Sequence, residues 1–546
     1  MSTSAFSALV ALQALTRVVT FVLGAVLARS LGPEWYAFAN VKLQLVTSSA
    51  LFLSREGLRR ACQRVYPGGG GAPLAHGINL AWVSVPLAAA AAAIVGGYST
   101  SHEQAVTTDG DHSTALITAR EYATTVWLVC AAAVLEAAVD PGWLYAQANG
   151  LVGRRVLAEG TALVLKAVAT AWLALRLEVG ALAFGYAQVL YSAAYVGVLY
   201  ALLSGHCALR QLRPHAASPA TSDQQLDGHP PPSGTSVSVW LPLDHRVVAM
   251  RYCWQSVQKY ALTEGERLVL VWMSPLAQQG VFALVSNLGS LVARLLLQPF
   301  EEVTFAHFSR LAAAGAVDHR ALGQLHALLR AATIFGGVFV AFGPAYSWLL
   351  LRLLYGAKWT AEAEDGSDAP RLLAFYCAHV CTMAVNGVAE AFVNATASQA
   401  ELDALATAMM ALAALYIPAA AAALRLGGST GLVLANCANM ACRIAYAQGF
   451  IRRTVAALPP PAAAAAPAEA PLRLLPRLWV LTALAAAFVL TGGSRLLLGT
   501  PEASHAQQVA HVGVGAACLM GVGMAVLKAE PELLVAMRSA RKRHVD

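Results

Sequence analysis

The sequence predicts an all-α polytopic membrane protein of about fourteen transmembrane helices, arranged as two pseudo-symmetric six-helix lobes plus two C-terminal helices. Three observations lead there. Of 546 residues, 58% are hydrophobic and only 12% are charged, where a soluble protein carries about 25% charged residues. Mean hydropathy is +0.57. The apolar stretches are long Ala/Val/Leu runs of helical composition, not the ten-residue polar/apolar alternation of a membrane β-barrel. At about 20 apolar residues per span, the chain holds about fourteen helices and no soluble catalytic domain.

The apolar windows fall at 6–29, 35–53, 77–98, 121–140, 156–175, 180–204, 252–273, 277–299, 323–351, 371–394, 402–424, 429–451, 475–499 and 505–527. The first contains Arg17 and lacks a small-residue cleavage site, so a retained span is expected there, not a signal peptide. Residues 1–204 then form an N-terminal lobe of six spans. The stretch 205–250, with Pro214, Pro219, Asp223, Asp227 and Pro230–Pro232, has too few apolar residues to bury a core and reads as a flexible cytoplasmic linker. Residues 251–452 supply six further spans. A second Pro/Ala-rich linker at 453–474 leads to two last spans within 475–527 and a basic tail at 528–546. Two groups of six suggest parallel repeats of the transporter kind, although no residue-level repeat is visible.

Lys and Arg concentrate in the loops after even-numbered spans, as at Arg59, Arg60, Arg64, Arg154 and Arg155, and in the tail. The positive-inside rule therefore places both termini in the cytoplasm. The net charge of +7 is spread over these loops, which suits an anionic leaflet and not nucleic acid. Cys377 and Cys381, one helical turn apart, read as small packing residues, because no carboxylates or histidines converge on them in sequence.

Polar residues recur at helical spacing inside the apolar windows. Asn40, Gln44 and Thr47 share a face, with Arg55 beyond them; Glu136 and Asp140 stand four apart; Asn287, Arg294 and Gln298 form a stripe followed by Glu301 and Glu302. Asn386, Glu390 and Asn394 form another, and Asn436, Asn439 and Arg443 a third. A charge at mid-membrane costs about 2.5–3.5 kcal/mol on insertion scales, so each needs a partner or water. A single stripe is explained by a polar seam between helices; stripes in both halves point to a shared hydrated cavity. Arginine stays ionised and forks two donors onto phosphate oxygens, so Arg29, Arg55, Arg294 and Arg443, near Glu264 and Glu302, favour an anionic cargo. The competing local explanation is Arg–Glu pairing that closes the bundle, for example Arg267 with Glu264 at i, i+3.

No GxxxxGK[ST] or HExxH motif is present, so neither built-in ATP hydrolysis nor an enzyme is expected, and no cofactor is implied. Asp109-Gly110-Asp111 spells a DxD in a short loop, weak support for a glycosyltransferase. A small-cation antiporter would rely on Glu136, Asp140 and Glu390.

The stretch RVVTFVLGAVLARSLGPEWYAFANVKLQLVTSSALFLSREGLRRAC (17–62) resembles the eukaryotic Rft family, within the superfamily of multidrug, oligosaccharidyl-lipid and polysaccharide exporters. The resemblance recurs at 143–168, at LTEGER within 255–270, at NLGSLVARLLLQPFEE within 280–305, at VNGVAEAF (385–392) and at 431–451. It implies a fourteen-helix exporter-like fold in the endoplasmic reticulum membrane. It also implies involvement in moving Man5GlcNAc2-diphosphodolichol from the cytoplasmic to the luminal leaflet for protein N-glycosylation. The partners so implied are the dolichol-diphosphate-linked oligosaccharide, membrane lipids and the enzymes of N-glycan assembly. Arg29 and Arg55 lie in the first-lobe motifs, Glu264 in LTEGER, Arg294 in SLVARLLLQP, Glu302 in the paired glutamates and Arg443 in NMACRIA. These six are the candidate residues of a diphosphate- and glycan-binding cavity. The alternative is a non-transporting accessory protein that binds the glycolipid, or chaperones it to luminal mannosyltransferases.

Overall fold

The computed structural model describes residues 3–65, 74–108, 117–206, 212–214, 241–315, 317–360, 368–458, 476–500 and 503–530. The Asp109-Gly110-Asp111 motif, most of the linker at 205–250, the alanine-rich stretch at 460–470 and the tail beyond 530 lie outside these residues. Among the described residues the secondary structure is helical throughout, without a strand. All fourteen apolar windows are occupied by helix. Ten helical segments among the described residues are long and apolar enough to cross a bilayer.

The chain divides into two compact units, Met1–Leu31 with Phe38–Leu268, and Gly32–Ala37 with Val269–Asp546. The helices up to the division are α1 (Thr3–Ser30), α2 (Pro33–Ala37), α3 (Leu43–Leu51), α4 (Gly57–Val65), α5 (Leu74–Trp82), α6 (Ser84–Thr108), α7 (Ala119–Ala137), α8 (Asp140–Ala148), α9 (Val152–Leu175), α10 (Leu182–Ser204) and α11 (Leu243–Met273). Of these, α2 belongs to the second unit.

In the first unit, π-helical turns at Phe38–Lys42 and Phe52–Glu56 flank α3. A Thr118/Glu121 capping box starts α7, satisfying amide groups that the first helical turn leaves open. Pro141 opens α8, where its missing N–H costs nothing. The core gathers where α4, α5, α8 and α10 meet, around Leu58, Cys62, Leu80, Leu144, Leu199 and Leu203. Lipid is as apolar as leucine, so helices in a bilayer associate through close packing of small residues. Ala132, Ala133, Ala158, Ala162, Ala183 and Ala187 are accordingly fully buried. Val18, Val22 and Val26, one per turn of α1, are exposed, the outward apolar stripe expected of a lipid-facing helix.

The second unit continues with α12 (Leu276–Val292), a π-helical turn at Ala293–Leu297, α13 (Gln298–Ala313), α14 (His319–Tyr355), α15 (Ala369–Thr396), α16 (Gln399–Ala457), α17 (Leu478–Leu498) and α18 (His505–Ala529). Asp318 caps α14 by accepting the Arg320 and Ala321 amides at 3.0 and 2.9 Å. The α14–α15 contact explains the cysteines. A Cβ on Gly343 would stand 2.3 Å from Cys377 Sγ, and one on Gly336 2.6 Å from Cys381 Sγ. The thiols fill notches left by glycine, and no metal-holding cluster occurs among the described residues.

The 59 residues of α16 would extend about 90 Å if straight, far beyond a bilayer core of about 30 Å. Gly428, at φ 57° and ψ −150°, breaks it in a conformation open essentially to glycine alone. Tyr416 hydrogen-bonds Asn436 across the break, and a Cβ on Gly431 would collide with the Ala423 carbonyl. Residues twenty apart in sequence meet only if the chain doubles back. The segment is therefore a helical hairpin, matching the separate windows at 402–424 and 429–451.

Polar side chains dock α17 and α18 onto α14. Thr491 Oγ1 donates to the Ala341 carbonyl at 3.3 Å, the Tyr346 hydroxyl donates to His511 O at 2.8 Å, and Arg495 bonds the Pro344 carbonyl. Fully buried Glu530 accepts from Arg330 Nη1 at 2.9 Å and from the Arg477 amide at 3.0 Å.

Candidate functional site

In the first unit the arginines come as a ladder. Arg55 lies in the π-helical turn Phe52–Glu56, which adds a residue to the helical turn and re-aims its side chain. Its Nη1 donates to Glu136 Oε1 at 2.9 Å. One turn on, Arg59 donates through Nε at 2.9 Å and Nη2 at 2.6 Å to the same oxygen, Asp140 Oδ1. Both acids are almost fully enclosed, with side chains 5% and 3% exposed. The Arg59 guanidinium also stacks 4.7 Å from the Trp143 ring, and Arg155 lies 5.4 Å from the same ring. Asp140 Oδ2 is buried without a hydrogen-bond partner among the described residues, beside a small cavity lined by Leu58, Arg59, Cys62, Ala81, Trp143 and Leu144.

Arg29 sits exposed in the last turn of α1. Glu264 is buried and takes Arg267 Nη1 at 3.0 Å, the i, i+3 pairing expected as the local alternative. Glu56, beyond the second apolar window, accepts from Lys259 Nζ at 3.1 Å and Arg60 Nε at 3.0 Å. Burial pushes its carboxyl pKa up, but those two cations outweigh burial and hold it below the ordinary carboxylate value.

In the second unit Arg294 again lies in a π-helical turn. Its exposed guanidinium folds back onto its own helix, with Nε to Ser290 O at 3.1 Å and Nη2 to Ser290 Oγ at 2.6 Å. Glu302 is exposed and accepts from Gln298 Nε2 at 3.0 Å. Arg443 makes a planar fork, Nε to Glu390 Oε1 at 2.7 Å and Nη2 to Glu390 Oε2 at 2.8 Å. This pair is more open than the ladder, with Arg443 31% and Glu390 17% exposed. A second carboxylate approaches, since a Cβ on Gly387 would lie 3.3 Å from Glu301 Oε2.

The structure thus gives Arg55 and Arg443 resident acidic partners within their own units. Glu136, Asp140 and Arg59 were visible in sequence only as a spacing and a loop charge. Their signal was the matched i, i+4 interval of Arg55/Arg59 and Glu136/Asp140, which lets two helices pair rung by rung. A surface depression lies elsewhere, along one face of α7 at Arg120, Thr124 and Trp127, and no candidate arginine lines it.

A family profile described as "Rft protein" matches residues 1–540. The mouse (Mus musculus) Man(5)GlcNAc(2)-PP-dolichol translocation protein RFT1 is 32% identical over 524 residues, covering 93% of this chain and 91% of its own length. The Xenopus tropicalis protein of the same name is 31% identical over 561 residues, covering 97% and 95%. Among solved structures, lipid II flippase MurJ in an inward closed conformation superposes with a TM-score of 0.58 at 9% identity, over 95% of this chain and 99% of that one. An inward-facing multidrug resistance MATE family transporter gives 0.53 at 13% identity, over 80% and 95%. At such identities the likeness speaks for the fold alone, that of a polytopic helical membrane protein. Because the profile spans nearly the whole sequence and relatives above 30% identity align over nine-tenths of it, the chain belongs to the Rft family.

Proposed function

We propose that this chain moves Man5GlcNAc2-PP-dolichol from the cytoplasmic to the luminal leaflet of the endoplasmic reticulum membrane, supplying protein N-glycosylation. The observation that carries the reading is the near full-length match to relatives that bear this translocation in their names. The chemistry agrees with it, because arginines in apolar helices suit a lipid diphosphate. On this reading the chain crosses the bilayer fourteen times in two six-span lobes plus two spans, with both termini cytoplasmic. Arg29, Arg55, Arg294 and Arg443 serve the diphosphate, and Glu264 and Glu302 temper their charge. No covalent step is involved.

Two measurements test the proposal. Purified chain in detergent should bind Man5GlcNAc2-PP-dolichol, and Arg294→Ala and Arg443→Ala should each weaken binding; unchanged binding in both would remove the arginine site. Vesicles holding only the purified chain should pass the glycolipid between leaflets; rates equal to protein-free vesicles would remove direct translocation. The same residues also serve a second reading, an accessory protein that binds the glycolipid without moving it. Arg55 and Arg443 are already paired with Glu136 and Glu390, so cargo binding there requires an exchange. Binding without transport in the same vesicles would select that reading.

A further inference from the structure

We infer that Glu390 is an exchangeable counter-ion, a built-in competitor that occupies Arg443 until a diphosphate displaces it. The inference rests on the reading of Arg443 as a diphosphate ligand and adds a residue that sets the affinity and release of the cargo. The geometry is that of the cargo itself. Arg443 presents two parallel N–H donors, Nε and Nη2, to two oxygens of one carboxylate at 2.7 and 2.8 Å. Two oxygens of a phosphate offer an arginine fork the same bidentate match. Glu390 therefore satisfies both donors that an incoming phosphate would use, and the two cannot hold the same edge at once.

The pair is also placed to exchange. Its side chains retain 31% and 17% exposure, against 18% and 5% for Arg55–Glu136. Water reaches the fork, so each partner keeps some solvation when they separate, and the cost of opening falls well below that of a sealed pair. The Arg55 and Arg59 contacts are different in kind: each engages a single oxygen of an acid enclosed by the helix bundle. The Arg59 rung holds the first unit together, whereas the Arg443 fork is poised between two states. An arginine with its charge unmet in an apolar helix would be costly. Glu390 meets that charge while the site is empty, and returning to Arg443 helps expel the cargo.

The test uses the full-length purified chain in detergent, with farnesyl diphosphate as probe and farnesol as the control that lacks the anion. In Glu390→Gln the neutral amide holds Arg443 about half as strongly as the carboxylate, so the diphosphate should bind at least about tenfold tighter, with farnesol unaffected. Glu390→Asp keeps the charge but draws it back by one methylene, so it should fall between the two and serves if the glutamine variant fails to fold. Arg443→Gln should weaken the diphosphate. If Arg443→Gln weakens it while Glu390→Gln and Glu390→Asp bind no more tightly than the unaltered chain, the counter-ion role is overturned and the arginine site stands. If Arg443→Gln leaves binding unchanged, the proposed site at Arg443 falls, and the exchange falls with it.

Discussion

Replacing Asp140 with asparagine isolates the physics of the buried ladder. The change preserves shape and removes one charge. Asp140 is 2% exposed, and its Oδ1 takes both Arg59 donors, at 2.9 and 2.6 Å. Asparagine leaves the Arg59 guanidinium ionised in a low-dielectric interior. Removing one partner of a buried pair costs about 3–5 kcal/mol. Arg59 retains 20% exposure and stacks on Trp143, which offset part of the loss, so we place Asp140→Asn near the lower end, about 3 kcal/mol. For a unit of this size that is a fall of roughly 6–12 °C in the unfolding midpoint, read by thermal unfolding of the purified chain in detergent. Adding Arg59→Met should recover most of the loss, because removing both charges together also removes the desolvation penalty. An Asp140→Asn chain that unfolds within about 1 °C of the unaltered one would refute the claim that the ladder is a sealed, energetically coupled pair.

Three further predictions follow from packing. Gly343→Ala should destabilise the second unit by about 1–3 kcal/mol, because the new methyl would stand 2.3 Å from Cys377 Sγ; Cys377→Gly in the same chain should restore part of the midpoint. Gly428→Ala should cost about 1–3 kcal/mol, since alanine at φ 57° and ψ −150° strains the α16 hairpin; unchanged thermal stability would count against that turn. Glu530→Gln should loosen α17 and α18 from α14 by removing the charge and one of the two acceptor oxygens that Arg330 and the Arg477 amide use. Faster hydrogen exchange confined to those helices would register it, and an unchanged exchange pattern would contradict it.

The fold was legible because lipid imposes a simple demand: a span needs a long apolar run, and each of the fourteen runs is helix. The Gly427-Gly428 break inside α16 was legible as a gap between two windows for the same reason. Charge partners on different helices were not. Arg443 reaches Glu390 across 53 positions, and Arg55 reaches Glu136 across 81; periodicity places a residue on a face but does not say which helix that face meets. The π-helical turns holding Arg55 and Arg294 also escaped, because one extra residue in a turn leaves hydrophobic spacing nearly unchanged. The Cys377/Cys381 packing role was readable from the lack of other ligands near them. The glycines that create their notches lie on a neighbouring helix, and only the structure brings the two together.

The most direct test of the account follows radiolabelled Man5GlcNAc2-PP-dolichol in vesicles that contain this protein alone. With the unaltered chain, glycolipid loaded in one leaflet should become accessible on the opposite side well above the protein-free rate, and Arg443→Gln should slow that appearance about tenfold or more. Accessibility that rises no faster than in empty vesicles, or that is indifferent to Arg443, would contradict it.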